Sequence, residues 1–130
     1  MKRFLMPFTL LLAVLYACNN KEKRENSEQI KQQIMEAENN FAAALQKNGL
    51  HDAFVAFADD DAILIRGSEL IKGKKAIDAR YINQHTKDLT WKVDFIEVSQ
   101  SGDLAYTYGE YIYSYQDSIG NEQKERGVFN

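Results

Sequence analysis

Leu104-Ala105-Tyr106-Thr107-Tyr108-Gly109-Glu110-Tyr111-Ile112-Tyr113-Ser114-Tyr115 places five tyrosines at alternate positions, with one interruption at Gly109-Glu110. Period-two spacing of aromatic residues marks a strand whose side chains alternate between two faces. The preceding segment behaves the same way: Trp91, Val93 and Phe95 alternate, then Ile96 and Val98 continue on the other phase. A one-residue slip in each of two neighbouring strands predicts paired bulges, and bulges add the twist that curls a sheet. Burial of both sheet faces would give the same pattern; the curled sheet is the reading adopted. Ser101-Gly102-Asp103 and Ile119-Gly120-Asn121 supply turn residues on either side, so an antiparallel meander is expected.

Upstream the apolar period lengthens to that of a helix. Asn26 or Ser27 can cap a helix, with Gln29 three residues after Asn26 in a capping-box pattern. Ile30, Ile34, Ala37, Phe41, Ala44 and Leu45 then recur as one apolar stripe, as a surface helix of a globular domain requires. Asn48-Gly49 supplies a left-handed stop. A second, shorter helix carries Leu50, Ala53, Phe54 and Phe57 on one face and ends before Asp59-Asp60-Asp61. Residues 62–66 (Ala-Ile-Leu-Ile-Arg) read as a buried strand, and Gly73 introduces a third helix over residues 75–83. The fold class expected is α+β, with N-terminal helices packed on a curled antiparallel sheet.

The N-terminus is a separate matter. Met1-Lys2-Arg3 precedes an apolar run from Phe4 to Tyr16, then small Ala17 and the single cysteine, Cys18. A basic start, a short apolar middle and a small residue at the cut site describe a secretory signal peptide over residues 1–17. The run is shorter than the about 20 apolar residues a spanning helix needs. Cys18 in this setting resembles the lipobox of bacterial lipoproteins. That resemblance implies a diacylglyceryl group on the Cys18 thiol and a lipid-anchored protein of the bacterial cell envelope, with Asn19 after it implying the outer membrane. Residues 19–26 contain no apolar side chain and read as a flexible tether. Residues 27–130 are left as one small domain.

The formal charge of −3 becomes −5 once Lys2 and Arg3 leave with the leader. This balance argues against a nucleic-acid partner and against electrostatic docking on anionic lipid; the lipid makes the membrane contact. With one cysteine, spent on the anchor, the mature domain has neither a disulfide nor a thiol nucleophile.

Five segments in order resemble the nuclear-transport-factor-2-like (NTF2-like) superfamily, in its SnoaL-like or domain-of-unknown-function-4440 branch. They are Phe41-Ala42-Ala43-Ala44-Leu45, Gly49-Leu50, residues 57–62 (Phe-Ala-Asp-Asp-Asp-Ala), residues 72–77 (Lys-Gly-Lys-Lys-Ala-Ile) and residues 101–109 (Ser-Gly-Asp-Leu-Ala-Tyr-Thr-Tyr-Gly). The resemblance implies a cone-shaped domain that relatives often dimerise through the sheet. It also implies one more strand after Asn130, so the last strand is expected to be missing, either because the sequence is a fragment or because a partner supplies it. Ketosteroid isomerases, enzymes of similar fold, need a tyrosine on the first helix, an aspartate base on the first strand and a protonated acid on a later strand. Here the matching positions hold Phe41, Arg66 and the neighbourhood of Arg126-Gly127. Phe41 has no hydroxyl and Arg66 keeps its proton at working pH, so that isomerisation is excluded.

Other candidates carry less. Arg66 can bind an anionic ligand at the cone mouth, since a guanidinium fork matches a carboxylate, or it simply ends a strand in solvent. Asp59-Asp60-Asp61 fails the calcium-loop pattern, because the twelfth position from Asp59 is Leu70 and not Glu. His51 and His85 lack zinc spacing and read as surface histidines. Asp94 alternates against Val93 and Phe95 and is expected to face outward. Tyr106 and Tyr108 are the preferred pocket-lining tyrosines, with packing or a sheet dimer as the alternative use of the series. No metal and no cofactor is called for.

The reading adopted is a non-catalytic lipoprotein that binds a small apolar or acidic molecule, with Phe41, Arg66, Tyr106 and Tyr108 as pocket candidates. The alternatives are a SnoaL-like enzyme with a different residue set and a homodimeric interaction module.

Overall fold

The computed structural model describes the backbone of residues 8–130 and the side chains from Asn26 onward. The first residues of the leader and the Cys18 side chain lie outside the described residues, and with them the lipid attachment. Helix α1 spans Phe8–Asn48. It runs through residues 19–26, read above as a tether, and through the caps expected at Asn26 and Ser27. The reason is local: no proline or glycine falls between Phe8 and Asn48, and Lys, Glu and Arg are strong helix formers that propagate a helix once begun. Among the described residues no helix is long and apolar enough to cross a membrane.

Gly49 ends α1 as its sequence predicts. Its φ of 93° lies where a side chain is strained, and an added Cβ would sit 2.8 Å from the His85 carbonyl oxygen. The Lys87 ammonium caps the same end, donating to the Lys47 carbonyl at 2.6 Å, where a cation also suits the helix dipole. Helix α2 (Leu50–Phe57) starts directly after. Its first amides donate to loop carbonyls, Leu50 to Thr86 and His51 to Gln84, so the helix start leaves these donors satisfied.

Strands β1 (Ile63–Arg66) and β2 (Glu69–Lys72) form an antiparallel hairpin. The second strand was not read from the sequence, although Gly67-Ser68 between two short apolar runs fits a two-residue hairpin loop with glycine first. Helix α3 follows over Lys74–Tyr81. Strands β3 (Leu89–Val98), β4 (Ala105–Gln116) and β5 (Glu122–Phe129) make a separate antiparallel sheet in the order β3-β4-β5. The molecule is thus α+β, with three helices and two antiparallel sheets in place of one continuous curled sheet.

The bulges are not paired. The β3–β4 register shifts once, between Val93 and Phe95, which makes Asp94 the extra residue; β4 keeps an unbroken register with β5. The tyrosine phase in β4 changes for another reason. Gly109 occupies an inward position opposite Val93 and has no side chain to show. Tyr106 and Tyr108 therefore face away from the helices, and Tyr111 and Tyr113, opposite Trp91 and Leu89, face toward them. A Cβ on Gly109 would collide with the Lys92 carbonyl and lie 2.9 Å from the Phe129 ring.

The core sits where α1, α2, α3 and the hairpin converge. Leu45, Ala53 and Ile77 are fully buried, and Leu50, Ile71 and Tyr81 are nearly so. Phe41, Phe54, Leu64, Leu89 and Trp91 pack around them. No polar side chain among the described residues is buried, as a small core without internal networks requires.

Candidate functional site

Two of the four pocket candidates, Phe41 and Arg66, share one neighbour, Phe54. Phe41 on α1 packs edge-on against Phe54 of α2 and Trp91 of β3, with ring centroids 5.0 and 4.9 Å apart, and stacks on Phe57 at 5.0 Å. Phe54 in turn packs on Tyr81 of α3 at 4.8 Å. Arg66 ends β1 on the face that carries Leu64 and Ile71 toward the core. Its carbon Cζ lies 5.8 Å from the Phe54 ring centroid, its Nε donates to the Tyr81 hydroxyl at 2.8 Å, and Nη1 donates to its own neighbour's carbonyl, Ile65, at 3.3 Å.

This grip fixes the guanidinium by a hydrogen bond and a cation–π contact. Arg66 faces Glu69 across the hairpin, but the Glu69 carboxylate lies 3.9 Å from Arg80 Nε, and no carboxylate among the described residues pairs with Arg66. Phe57, 44% exposed, supplies an apolar surface through Phe41. A held, uncompensated guanidinium beside aromatic rings suits a carboxylate attached to an apolar body.

The other two candidates lie elsewhere. Tyr106 is 50% and Tyr108 43% exposed. Tyr108 stacks on Phe95 at 5.2 Å and tilts against Tyr106 at 6.1 Å, on the sheet face turned from the helices. They do not meet Phe41 or Arg66, because they lie on the face of β4 opposite to Gly109 and Tyr111; the β3 bulge at Asp94 brings Phe95 onto that same outer face.

Three features were missed in the sequence. Glu38, one turn before Phe41, accepts the Trp91 indole N–H at 3.0 Å; only its i,i+3 relation to Phe41 pointed to it. A groove of about 310 Å³ opens between α1 and the β3 bulge, lined by Glu28, Lys31, Gln32, Met35, Asp94, Phe95 and Ile96. Its lysine is already engaged, 3.3 Å from Glu97 and 3.8 Å from Glu28. Finally, His51, read as a surface histidine, is partly covered and has two acid partners. Its side chain is 16% exposed and lies between Asp52 and Asp78.

Three other acids, Asp103, Asp117 and Asp94, have local partners. The Ser101 and Ser99 hydroxyls donate to Asp103 and lower its pKa. Asp117 is likewise held low, chiefly by the Asn121 backbone N–H. Both close turns between strands. Asp94 pairs with Lys92 at 3.3 Å. No group of His, Cys, Asp and Glu among the described residues could hold a metal ion. Comparison with family models, curated proteins and solved structures gave no match.

Proposed function

We propose that this chain is a lipid-anchored envelope protein, fixed to the outer membrane through Cys18, whose NTF2-like domain binds a small apolar carboxylic acid without transforming it. One observation carries the ligand class: Arg66 is held by Tyr81 and Phe54 with no acid partner among the described residues, in a chain of net negative charge. A preorganised guanidinium loses little side-chain entropy on binding. Binding without turnover is supported by what stands at the site: Phe41 cannot donate a proton, and Arg66 cannot accept one. Glu38, the nearby carboxylate, is engaged by the Trp91 indole.

The ligand test is fluorescence. Trp91 is the single tryptophan and touches Phe41, so titration with 2-naphthoate or a medium-chain fatty acid should change its emission. Arg66→Gln should weaken binding at least about tenfold, equivalent to about 1.4 kcal/mol. Equal affinity of the variant, or no binding at millimolar ligand, removes the reading. The anchor is tested separately: the membrane-extracted chain should carry an acyl mass on Cys18, and Cys18→Ala should release it to the soluble fraction.

A second reading has its own observation. Phe95, Tyr106 and Tyr108 form an exposed aromatic cluster on the outer sheet face. Such a cluster suits a sheet-to-sheet homodimer, and sedimentation equilibrium of the detergent-solubilised chain distinguishes monomer from dimer.

A further inference from the structure

His51 has a carboxylate on each ring nitrogen. Its Nδ1 lies 2.9 Å from Asp52 Oδ1, on the same helix, and its Nε2 lies 2.7 Å from Asp78 Oδ1, on α3. A neutral imidazole has one N–H and one lone pair. It can donate to one of these carboxylates, and its lone pair then faces the lone pairs of the other. The imidazolium alone satisfies both contacts, so the geometry selects the doubly protonated ring.

The groups facing this ring are few. Helix α2 contributes Asp52, α3 contributes Asp78, and the segment after α3 contributes the His85 ring, edge-on at 6.1 Å between centroids. The Asp78 hydrogen bond, then that of Asp52, raises the His51 pKa above its ordinary 6.5, against a smaller opposing effect of burial. The tie spans the two helices that carry Phe54 and Tyr81, whose rings lie 4.8 Å apart.

We propose that His51 is a proton-operated tie between α2 and α3. Doubly protonated, it clamps the helices and sets the Phe54–Tyr81 spacing; on losing one proton it releases one carboxylate and the pair loosens. The tie is a property of the fold and stands whether or not Arg66 holds a ligand. The folded pKa is raised, so the stabilisation is complete below the unfolded value near 6.5 and disappears as pH rises through the folded value. Alkalinity, not acid, opens this contact.

The test is a histidine-ring ¹H–¹⁵N titration of the full chain in detergent micelles, from about pH 5 to about pH 9, the range in which imidazoles change charge. The expected result is a His51 ring protonated on both nitrogens below its midpoint, with that midpoint above the ordinary imidazole value of 6.5. The ring signals of Tyr81 and Phe54 should move with the His51 midpoint and persist in doing so in His85→Gln. Asp78→Asn should lower that midpoint and uncouple the Tyr81 and Phe54 signals from it. The thermal midpoint of the native chain should fall across the same interval relative to His51→Gln. A His51 ring carrying one proton at the acid end overturns the proposal. So does a His51 titration that leaves Tyr81 and Phe54 unmoved.

Discussion

The region where three helices and the β1–β2 hairpin converge, with Trp91 of β3 packed against it, and the region formed by β4 and β5 contain similar aromatic side chains and treat them in opposite ways. In the first, Leu45 and Ile77 are fully enclosed, and Phe41 touches three other rings. In the second, Tyr115 is exposed, Val128 is 78% exposed, and no residue of β5 is buried. The difference is one of width. A helix with its side chains covers about 10 Å, and strands lie about 4.8 Å apart. A helix placed over β3 therefore reaches β4 and stops short of β5. Aromatic content makes a strand possible; the element laid across it decides whether the strand is covered. The charges of Glu122, Lys124, Glu125 and Arg126 on β5 then serve as protection of an open sheet edge.

The sharpest way to break this comparison is a pair of substitutions. Leu45→Ala should destabilise the domain by about 3 kcal/mol or more, since a fully buried leucine leaves a cavity. Val128→Thr should stay within about 0.5 kcal/mol, as exposed substitutions do. Urea denaturation followed by Trp91 fluorescence compares them directly. Similar losses from both would mean that β5 is covered in solution.

Gly109→Ala comes next. Gly109 is the buried point of β4, and its missing side chain makes room for the Lys92 carbonyl and the Phe129 ring. An added methyl there should cost about 2 kcal/mol by overpacking and should shift the β3–β4 amide signals around the Asp94 bulge. A neutral result would show that β4 can yield where β3 does, making the bulge a movable feature. A third and smaller effect belongs to the packed region. Tyr81→Phe removes the acceptor of the Arg66 Nε–H and should cost about 1 kcal/mol. It should also weaken carboxylate binding, while Tyr81 packing against Phe54 is retained.

The sequence announced the order of elements better than their partners. The apolar stripe from Ile30 to Leu45, the stop at Gly49 and the two glycine-bearing turns were legible because each is a local preference. The hairpin strand Glu69–Lys72 was not, since four residues give too short a pattern to separate from a loop. The tyrosine phase misled for a physical reason: an inward glycine and a bulge produce the same break in alternation, and only the partner strand tells them apart. Phe41 and Arg66 were singled out through a family resemblance, and each touches Phe54. Their anchor Tyr81 and the His51 tie depend on α3 folding back against α2, a tertiary contact that spacing along the chain does not encode.

The smallest expected effect tests the outer face. Tyr106 is half exposed and touches Tyr108 only at a tilted 6.1 Å, so Tyr106→Ser should change stability by no more than about 0.5 kcal/mol in a monomer. The same substitution at a sheet-to-sheet contact would strip an aromatic from a desolvated surface, where truncations of tyrosine commonly exceed about 1 kcal/mol, and the loss would depend on protein concentration. Measuring the unfolding midpoint of wild type and Tyr106→Ser at two concentrations a hundredfold apart therefore separates the cases. A concentration-independent, near-zero difference leaves the aromatic cluster facing water. A difference that grows with concentration places a second copy over Phe95, Tyr106 and Tyr108, and the sheet is then covered on the side its own helices leave open.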